Sequence, residues 1–102
     1  MAKLVALYKQ PANVAAFDAY YFSTHVPIAK KVPGLRRYEV SVGPVATPEA
    51  MHPYYLAAIL NFDSMAAIQE ALTSPEGKAT AADLANFAQA GVELLIFDTK
   101  EV

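Results

Sequence analysis

The chain has 102 residues, of which 55% are hydrophobic and only 18% are charged, and its formal net charge at pH 7 is −2. This charge gives no general attraction to nucleic acids or acidic membranes, and the absence of cysteine excludes disulfides, thiolate nucleophiles and cysteine-ligated metals. Because a soluble domain has about 45–50% hydrophobic residues, the excess predicts burial of apolar surface against a partner, most simply a second copy of the chain.

No targeting or membrane segment is evident along the chain. No run approaches the ~20 apolar residues that span a bilayer, and the N-terminus lacks the basic and apolar layout of a secretion signal. We therefore expect a single cytoplasmic domain over residues 1–102, large enough for one modest core.

The first two predicted elements are a strand and a long helix. Residues 3–9 form an apolar run of strand length without polar alternation, so both faces of this strand should be covered. Asn13 can cap a helix that continues to the stop signal at Pro33. One face of this helix carries side chains at helical spacing, namely Phe17, Tyr21, His25 and Ile28.

A proline interrupts this helix beside a histidine. Pro27 has no N–H to donate to the carbonyl of Ser23, so the helix should kink or restart beside His25. The freed carbonyl, the hydroxyls of Ser23 and Thr24 and the imidazole should then converge, and such an arrangement can hold a small molecule. The alternative is a kinked core helix with one satisfied histidine.

The middle of the chain predicts a hairpin. Residues 35–45 alternate as an edge or half-exposed strand, with one face formed by Tyr38, Val40 and Val42. Residues 46–53 predict the connecting loop, in which His52 is expected to be exposed. Residues 54–62 are almost wholly apolar and predict a central strand.

The last part of the chain predicts a second helical region and a final strand. Ser64 can cap a first helix, and Ser74 followed by a proline can restart a helix that runs to about residue 88. Gly91 ends this region, and residues 92–99 form the last, largely apolar strand. The inward-facing residues of the helices are expected to be Met65, Ile68, Leu72, Leu84 and Phe87.

These elements predict the order β-α-β-β-α-β and an α+β fold. Two strand–helix–strand halves joined by a hairpin form one four-stranded antiparallel sheet with the helices on one face. The opposite face would be bare, and its apolar strands would expose far more than the few hundred Å² that a monomer tolerates. We therefore predict a homodimer formed through the sheet faces, in which two sheets close into a barrel.

Few residues of the chain are suited to chemistry. The two histidines do not lie at a metal-ligand spacing from any carboxylate, the glycines form no phosphate-binding loop, and no serine nucleophile motif is present. Acid–base or hydrogen-bonding chemistry by His25 with tyrosine hydroxyls remains. The many aromatic residues suit a pocket for an apolar or aromatic ligand, unless they only fill the core and the interface.

Two short motifs follow one another around the interrupted helix. Residues 25–29 read His-x-Pro-(Leu/Ile)-Ala, with isoleucine at the fourth position, and residues 33–35 read Pro-Gly-Leu. Together they resemble the EthD family of dimeric α/β-barrel proteins. The resemblance spans nearly the whole chain and includes residues 4–9, 17–21, 54–56, 62–64 and 74–77.

This resemblance implies a ferredoxin-like βαββαβ protomer in a sheet-to-sheet dimer and leaves the activity open. The family is named for a protein linked to a cytochrome P450 system that degrades a fuel ether. Relatives in the wider superfamily include cofactor-free monooxygenases, lactone isomerases and cyclases, and in some of them a histidine on the first helix acts with a tyrosine on the second strand. His25 and Tyr38 fall at these two places.

The expected site is a pocket between the first helix and the sheet. The predicted catalytic residues are His25, as general acid or base because the unperturbed pKa of imidazole is ~6.5, and Tyr38, as hydrogen-bond donor to a developing oxyanion. The predicted ligand contacts are Tyr8, Phe17, Tyr21 and Ile28. No metal and no organic cofactor are expected.

Two functions remain open at this stage. The first is the binding, with or without transformation, of a small apolar or aromatic, oxygen-bearing metabolite. The second is a non-catalytic accessory or ligand-sequestering dimer that serves a partner oxidative enzyme. A purely structural dimer is disfavoured, because it gives no role to a histidine beside a kink.

Overall fold

A computed structural model of the chain describes residues 1–50 and 54–102 and contains one four-stranded sheet. Its strands are β1 (Ala2–Lys9), β2 (Arg37–Val40), β3 (Tyr54–Phe62) and β4 (Val92–Asp98), in the spatial order β2-β3-β1-β4. All neighbouring strands are antiparallel. The helices are α1 (Val14–Tyr20), α2 (Val26–Ala29), α3 (Met65–Thr73) and α4 (Pro75–Phe87). The predicted fold class and antiparallel four-stranded sheet are confirmed.

The first helical region contains the predicted interruption. The side chain of Asn13 caps α1 by accepting a hydrogen bond from the N–H of Ala16 at 3.0 Å. A π-helical turn, Tyr21–His25, separates α1 from α2, and in it the N–H of Val26 donates to the carbonyl of Tyr21 five residues earlier. The extra residue in this turn changes the phase of the helix just before Pro27.

One part of the sequence prediction for this region is wrong. His25 is buried, but Ser23 is exposed and its hydroxyl donates to the carbonyl of Ala19. The hydroxyl of Thr24 lies 3.3 Å from that of Ser23. The two hydroxyls therefore do not converge with the imidazole. Ser23 lies two positions before His25, and residues two positions apart point to nearly opposite sides of a helix.

The second strand is shorter than predicted. β2 ends at Val40, although the N–H of Ser41 still donates to the carbonyl of Ala57 at 2.8 Å. The Ser41 hydroxyl then accepts from the N–H of Ala57 at 2.9 Å, so a side chain replaces the backbone carbonyl that would continue the ladder. Val42, predicted to share a face with Tyr38, lies beyond the strand and is exposed. The predicted loop histidine, His52, lies outside the described residues.

The second helical region follows the predicted start signals. Ser64 caps α3 by accepting from the N–H of Ala67 at 3.1 Å, and Ser74 caps α4 by accepting from the N–H of Gly77 at 3.0 Å. Ile68 is fully buried as expected, whereas Leu72 is 36% exposed and therefore is not a core residue. Phe87 is buried at the end of α4.

The two faces of the sheet differ in what covers them. Alternate residues of β1 pack under the helices and are buried: Ala2, Leu4, Ala6 and Tyr8. On the opposite face Val5 pairs with Ile59 of β3 and Leu95 of β4, and these two neighbours are 36% and 47% exposed. Phe97, one pair further along β4, is 42% exposed. The face without helices is therefore apolar at its centre, as the sequence predicts.

A glycine sets the distance between α3 and α4. Gly77 is buried, and a Cβ at this position would lie 1.9 Å from the carbonyl oxygen of Ala71. We expect Gly77→Ala to destabilise the protein by about 1–3 kcal/mol, because the backbone of α4 must move away from α3. Thermal unfolding should then show a midpoint lower by about 4–8 °C per kcal/mol. Lys78→Ala, at the exposed neighbouring position, is the control, and equal midpoints for the two variants would contradict this expectation.

Candidate functional site

The centre of the candidate site is a buried histidine–aspartate pair. His25 ends the π-helical turn and is buried, and its Nδ1 lies 2.9 Å from Oδ2 of Asp83 on α4. The two residues are 3% and 6% exposed and 58 positions apart in the sequence. Their contact joins the two helical regions beside the sheet.

Asp83 receives two further hydrogen bonds. Its Oδ1 accepts from the hydroxyl of Tyr20 at 2.6 Å and from Nδ2 of Asn86 at 2.9 Å. Burial raises the pKa of Asp83, but the hydrogen bonds from Tyr20, Asn86 and His25 stabilise the carboxylate and together bring its pKa below the ordinary value. Asp83 is therefore ionised at neutral pH.

The pKa of His25 is shifted in the direction of the neutral ring. Burial lowers it below its ordinary value of 6.5, and the hydrogen bond and charge of Asp83 oppose this shift without cancelling it. The imidazole is therefore neutral at pH 7. A neutral imidazole next to a carboxylate carries its proton on the nitrogen that faces the carboxylate, here Nδ1.

The other ring nitrogen of His25 faces a cavity. No hydrogen bond to Nε2 is formed within residues 1–50 and 54–102. Because no polar side-chain atom in that part of the chain is both fully buried and without a partner, Nε2 must be accessible. His25 also lines a cavity of about 80 Å³ between the helices and the sheet. Nε2 is therefore an acceptor that is open to this cavity.

The cavity is apolar apart from a few groups. Its polar lining residues are Tyr8, His25, Tyr38 and Thr80, and its remaining lining is aliphatic or aromatic. Two of its lining residues, Leu72 and Leu94, are 36% and 48% exposed, so the cavity lies close to the surface. Its volume is far below the roughly 300–1,000 Å³ of pockets for drug-sized ligands, so it can enclose a very small molecule or one end of a larger one.

A cluster of tyrosine hydroxyls lies at the same cavity. The hydroxyls of Tyr21 and Tyr38 are 2.6 Å apart, and the hydroxyl of Tyr8 interacts with that of Tyr21. The rings of Tyr21 and His25 are in contact, with centroids 5.5 Å apart. Burial raises the pKa of all three tyrosines, so their hydroxyls remain protonated and can donate hydrogen bonds.

The structure brings some of the predicted site residues together and not others. His25, Tyr38 and Tyr8 line the cavity, and Tyr21 packs behind them. Phe17 lies in the aromatic core, where its ring contacts those of Tyr8, Tyr21 and Phe87, and it is not part of the cavity lining. Ile28 is half-buried and also lies outside the lining.

Sequence reasoning missed Asp83. The sequence does contain an indication that Asp83 points inward, since it precedes the predicted inward residue Phe87 by four positions and so shares its helical face. An acidic residue on an inward face requires a partner, because a buried unpaired charge is costly. That this partner is His25 follows only from the three-dimensional packing of α4 against the π-helical turn.

Within residues 1–50 and 54–102, no group of three or more His, Cys, Asp or Glu side chains is arranged to hold a metal ion. None of the helices in these residues has the length and hydropathy needed to cross a membrane.

Comparisons with known proteins agree with this fold. The EthD domain pattern matches residues 9–91. A Rhodococcus erythropolis protein, described as an uncharacterized 11.0 kDa protein in the thcB-thcC intergenic region, is 39% identical over 103 residues, which cover 100% of this chain and 98% of that protein. The crystal structure of a Bacillus halodurans protein of the ethyl tert-butyl ether d (EthD) family is 38% identical, covers 98% of this chain and 99% of its own, and superposes with a TM-score of 0.88.

More distant solved structures share the fold alone. A Thermobifida fusca protein, described as a dimeric ferredoxin-like protein of unknown function, is 14% identical with a TM-score of 0.69 and covers 96% of this chain and 90% of its own. SnoaB from Streptomyces nogalater, described as a cofactor-independent oxygenase, is 17% identical with a TM-score of 0.68 and covers 99% of this chain and 94% of its own. The chain therefore has the ferredoxin-like fold.

Proposed function

The chain belongs to the EthD family, and on that basis we propose that it binds a small apolar or aromatic, oxygen-bearing metabolite and transfers a proton to or from it, without a metal or organic cofactor. One observation carries the proposal. The Asp83–His25 pair presents an unprotonated Nε2 to an apolar cavity that also contains tyrosine hydroxyls. This is the arrangement that general acid–base catalysis requires.

The proposed step is a proton transfer to His25. Nε2 removes a proton from an acidic C–H or O–H of the ligand, and the electron pair of the broken bond remains on the ligand and delocalises onto its oxygen. Asp83 stabilises the imidazolium, and Tyr38, within the hydroxyl cluster, donates a hydrogen bond to the negatively charged oxygen. Return of the proton to a different ligand atom then gives an isomer and regenerates neutral His25.

The fold is compatible with chemistry of this cofactor-free kind. SnoaB, which shares the fold, is described as a cofactor-independent oxygenase. At 17% identity this likeness says nothing about individual residues, so the proposal depends on the geometry around His25. We propose further that the protein is a homodimer formed through the sheet faces, because the apolar outer face needs a cover.

A second candidate function is an accessory or ligand-sequestering dimer that serves an oxidative enzyme. One observation favours it: the cavity of about 80 Å³ encloses little more than one end of a ligand. Such a protein would bind the same class of metabolite and leave it unchanged.

The pH dependence of binding and conversion tests the proposal. A panel of phenols, quinones and lactones should be followed by calorimetry and by product analysis between pH 4.5 and 8. Because the pKa of His25 lies below 6.5, Nε2 is unprotonated above that pH, and the extent of binding and conversion should be constant there. It should fall as the pH drops through the lowered pKa, where His25 takes up a proton.

Stability has to be measured over the same range. The unfolded chain takes up a proton at this histidine near pH 6.5, whereas the folded chain does so only at lower pH, so folding stability also decreases with falling pH in that window. Circular dichroism at each pH separates loss of the fold from protonation of the site. If binding or conversion by folded protein does not decrease below pH 6.5, a role for Nε2 is contradicted. Conversion of no compound, with binding of some, would favour the accessory function.

A further inference from the structure

We infer that Asp83 is a positioning residue: it fixes His25 in the Nδ1–H tautomer and thereby makes the site selective for neutral ligands that donate a hydrogen bond or a proton, such as phenols and enols. The inference rests on the proposed use of Nε2. It adds the class of ligand and the residue that determines this class.

The first step is the hydrogen-bond inventory of Asp83. A carboxylate only accepts hydrogen bonds, so each of its close partners must supply a proton. Oδ1 faces the Tyr20 hydroxyl and Asn86 Nδ2, and Oδ2 faces Nδ1 of His25 at 2.9 Å, its one hydrogen-bond partner among the described residues. In neutral His25 the single ring proton is therefore used at Nδ1, and Nε2 has only a lone pair.

The second step is what this lone pair accepts. A ligand O–H can donate a hydrogen bond to Nε2. An ether or carbonyl oxygen at the same place is itself an acceptor, so no proton would lie between it and Nε2. An anionic ligand is disfavoured, because the buried carboxylate of Asp83 lies against the same imidazole and the lining is apolar. A neutral phenol or enol satisfies both conditions, and a phenol ring suits the apolar lining.

The third step predicts the effect of Asp83→Asn. An asparagine of the same shape has one acceptor oxygen and one donor nitrogen. The oxygen should remain at the position that receives two donors, Tyr20 and Asn86, because an NH₂ group there would face both of them. The new NH₂ group then donates to Nδ1 of His25, and the ring proton moves to Nε2. The variant should keep the shape of the site and reverse its hydrogen-bonding character.

The experiment is nitrogen-15 NMR of the histidine rings at pH 7.5 combined with binding of phenol and anisole. The His25→Gln variant assigns the His25 signals. We expect the Nδ1–H tautomer in the wild type and the Nε2–H tautomer in Asp83→Asn. Wild-type protein should bind phenol at least about tenfold more tightly than anisole, and the substitution should reduce this ratio by at least about tenfold, because the new Nε2–H suits the ether oxygen.

The outcomes separate this inference from the proposed function. A wild-type spectrum with the proton on Nε2 overturns the inference, and this measurement does not depend on whether Asp83→Asn folds. An unchanged tautomer in a folded Asp83→Asn variant, or equal affinities for phenol and anisole in the wild type, also overturns it. If the tautomers are as expected and neither probe binds, the proposed function and the ligand selectivity fail, whereas the positioning of His25 by Asp83 is supported. Asn86→Ala, which leaves the carboxylate in place, is the control and should keep the wild-type tautomer.

Discussion

Replacing His25 with alanine is expected to lower the turnover of any compound that the wild-type protein converts by roughly 10²- to 10⁴-fold, the range for loss of a general acid or base. The physical reason is that, among the lining residues in the described part of the chain, only His25 has an ordinary pKa near neutrality; the tyrosines remain protonated there. The measurement is steady-state kinetics on the compounds of the panel. In a protein that only binds its ligand, the same substitution would change the affinity, and there would be no turnover to measure in either form.

The fold of the variant must be controlled, because the substitution removes one of the donors to buried Asp83. Tyr20 and Asn86 still satisfy its other oxygen, so a loss of about 1–3 kcal/mol in stability is expected rather than unfolding. His25→Gln tests whether a polar side chain without a basic nitrogen suffices. Ser23→Ala, on the same π-helical turn but exposed, should retain full turnover. Wild-type rates in a folded His25→Ala variant would exclude His25 as the acid or base.

The sequence predicts most of the fold because its local signals agree with one another. The caps at Asn13, Ser64 and Ser74 all form in the structure, and the apolar runs become β1, β3 and β4. The end of β2 was predicted wrongly because the alternation continues past Val40. There the hydroxyl of Ser41 replaces a backbone acceptor, and no pattern of apolar residues contains that information.

The candidate site is less predictable than the fold. Pro27 predicts an interruption, but the sequence does not specify that the interruption is a π-helical turn. The convergence of Ser23 with His25 was predicted wrongly, because residues two positions apart lie on nearly opposite sides of a helix. The pairing of Asp83 with His25 joins positions 58 residues apart, and such a contact depends on how two helices pack. The strand register determined which tyrosines lie under the helices, and a shift of one residue would have reversed the assignment.

The second large expected effect concerns dimerisation through the outer face of the sheet, which is the face without helices. Val5, Ile59 and Leu95 form a row across three strands, and in a sheet-to-sheet dimer this row would lie near the centre of the interface. Obligate interfaces begin at roughly 2,000 Å² of buried surface and have apolar centres, and this face offers such a centre. The wild-type protein should therefore be a dimer in light scattering at micromolar concentration, and a stable folded monomer would contradict the proposed assembly.

Leu95→Asp is expected to convert this dimer into a folded monomer. At 47% exposure the new carboxylate remains hydrated in the separate chain, but burying it unpaired in an apolar interface costs several kcal/mol. Since each 1.4 kcal/mol is a factor of about ten, the dissociation constant should rise by at least about 100-fold. Phe22→Asp is the matched control, because Phe22 is 50% exposed on the π-helical turn, away from the outer face of the sheet, and it should leave the dimer intact. Analytical ultracentrifugation over a concentration series measures both variants. If Leu95→Asp dimerises as tightly as the wild type while Phe22→Asp does not, the interface lies on the helical side and the apolar face of the sheet has another function.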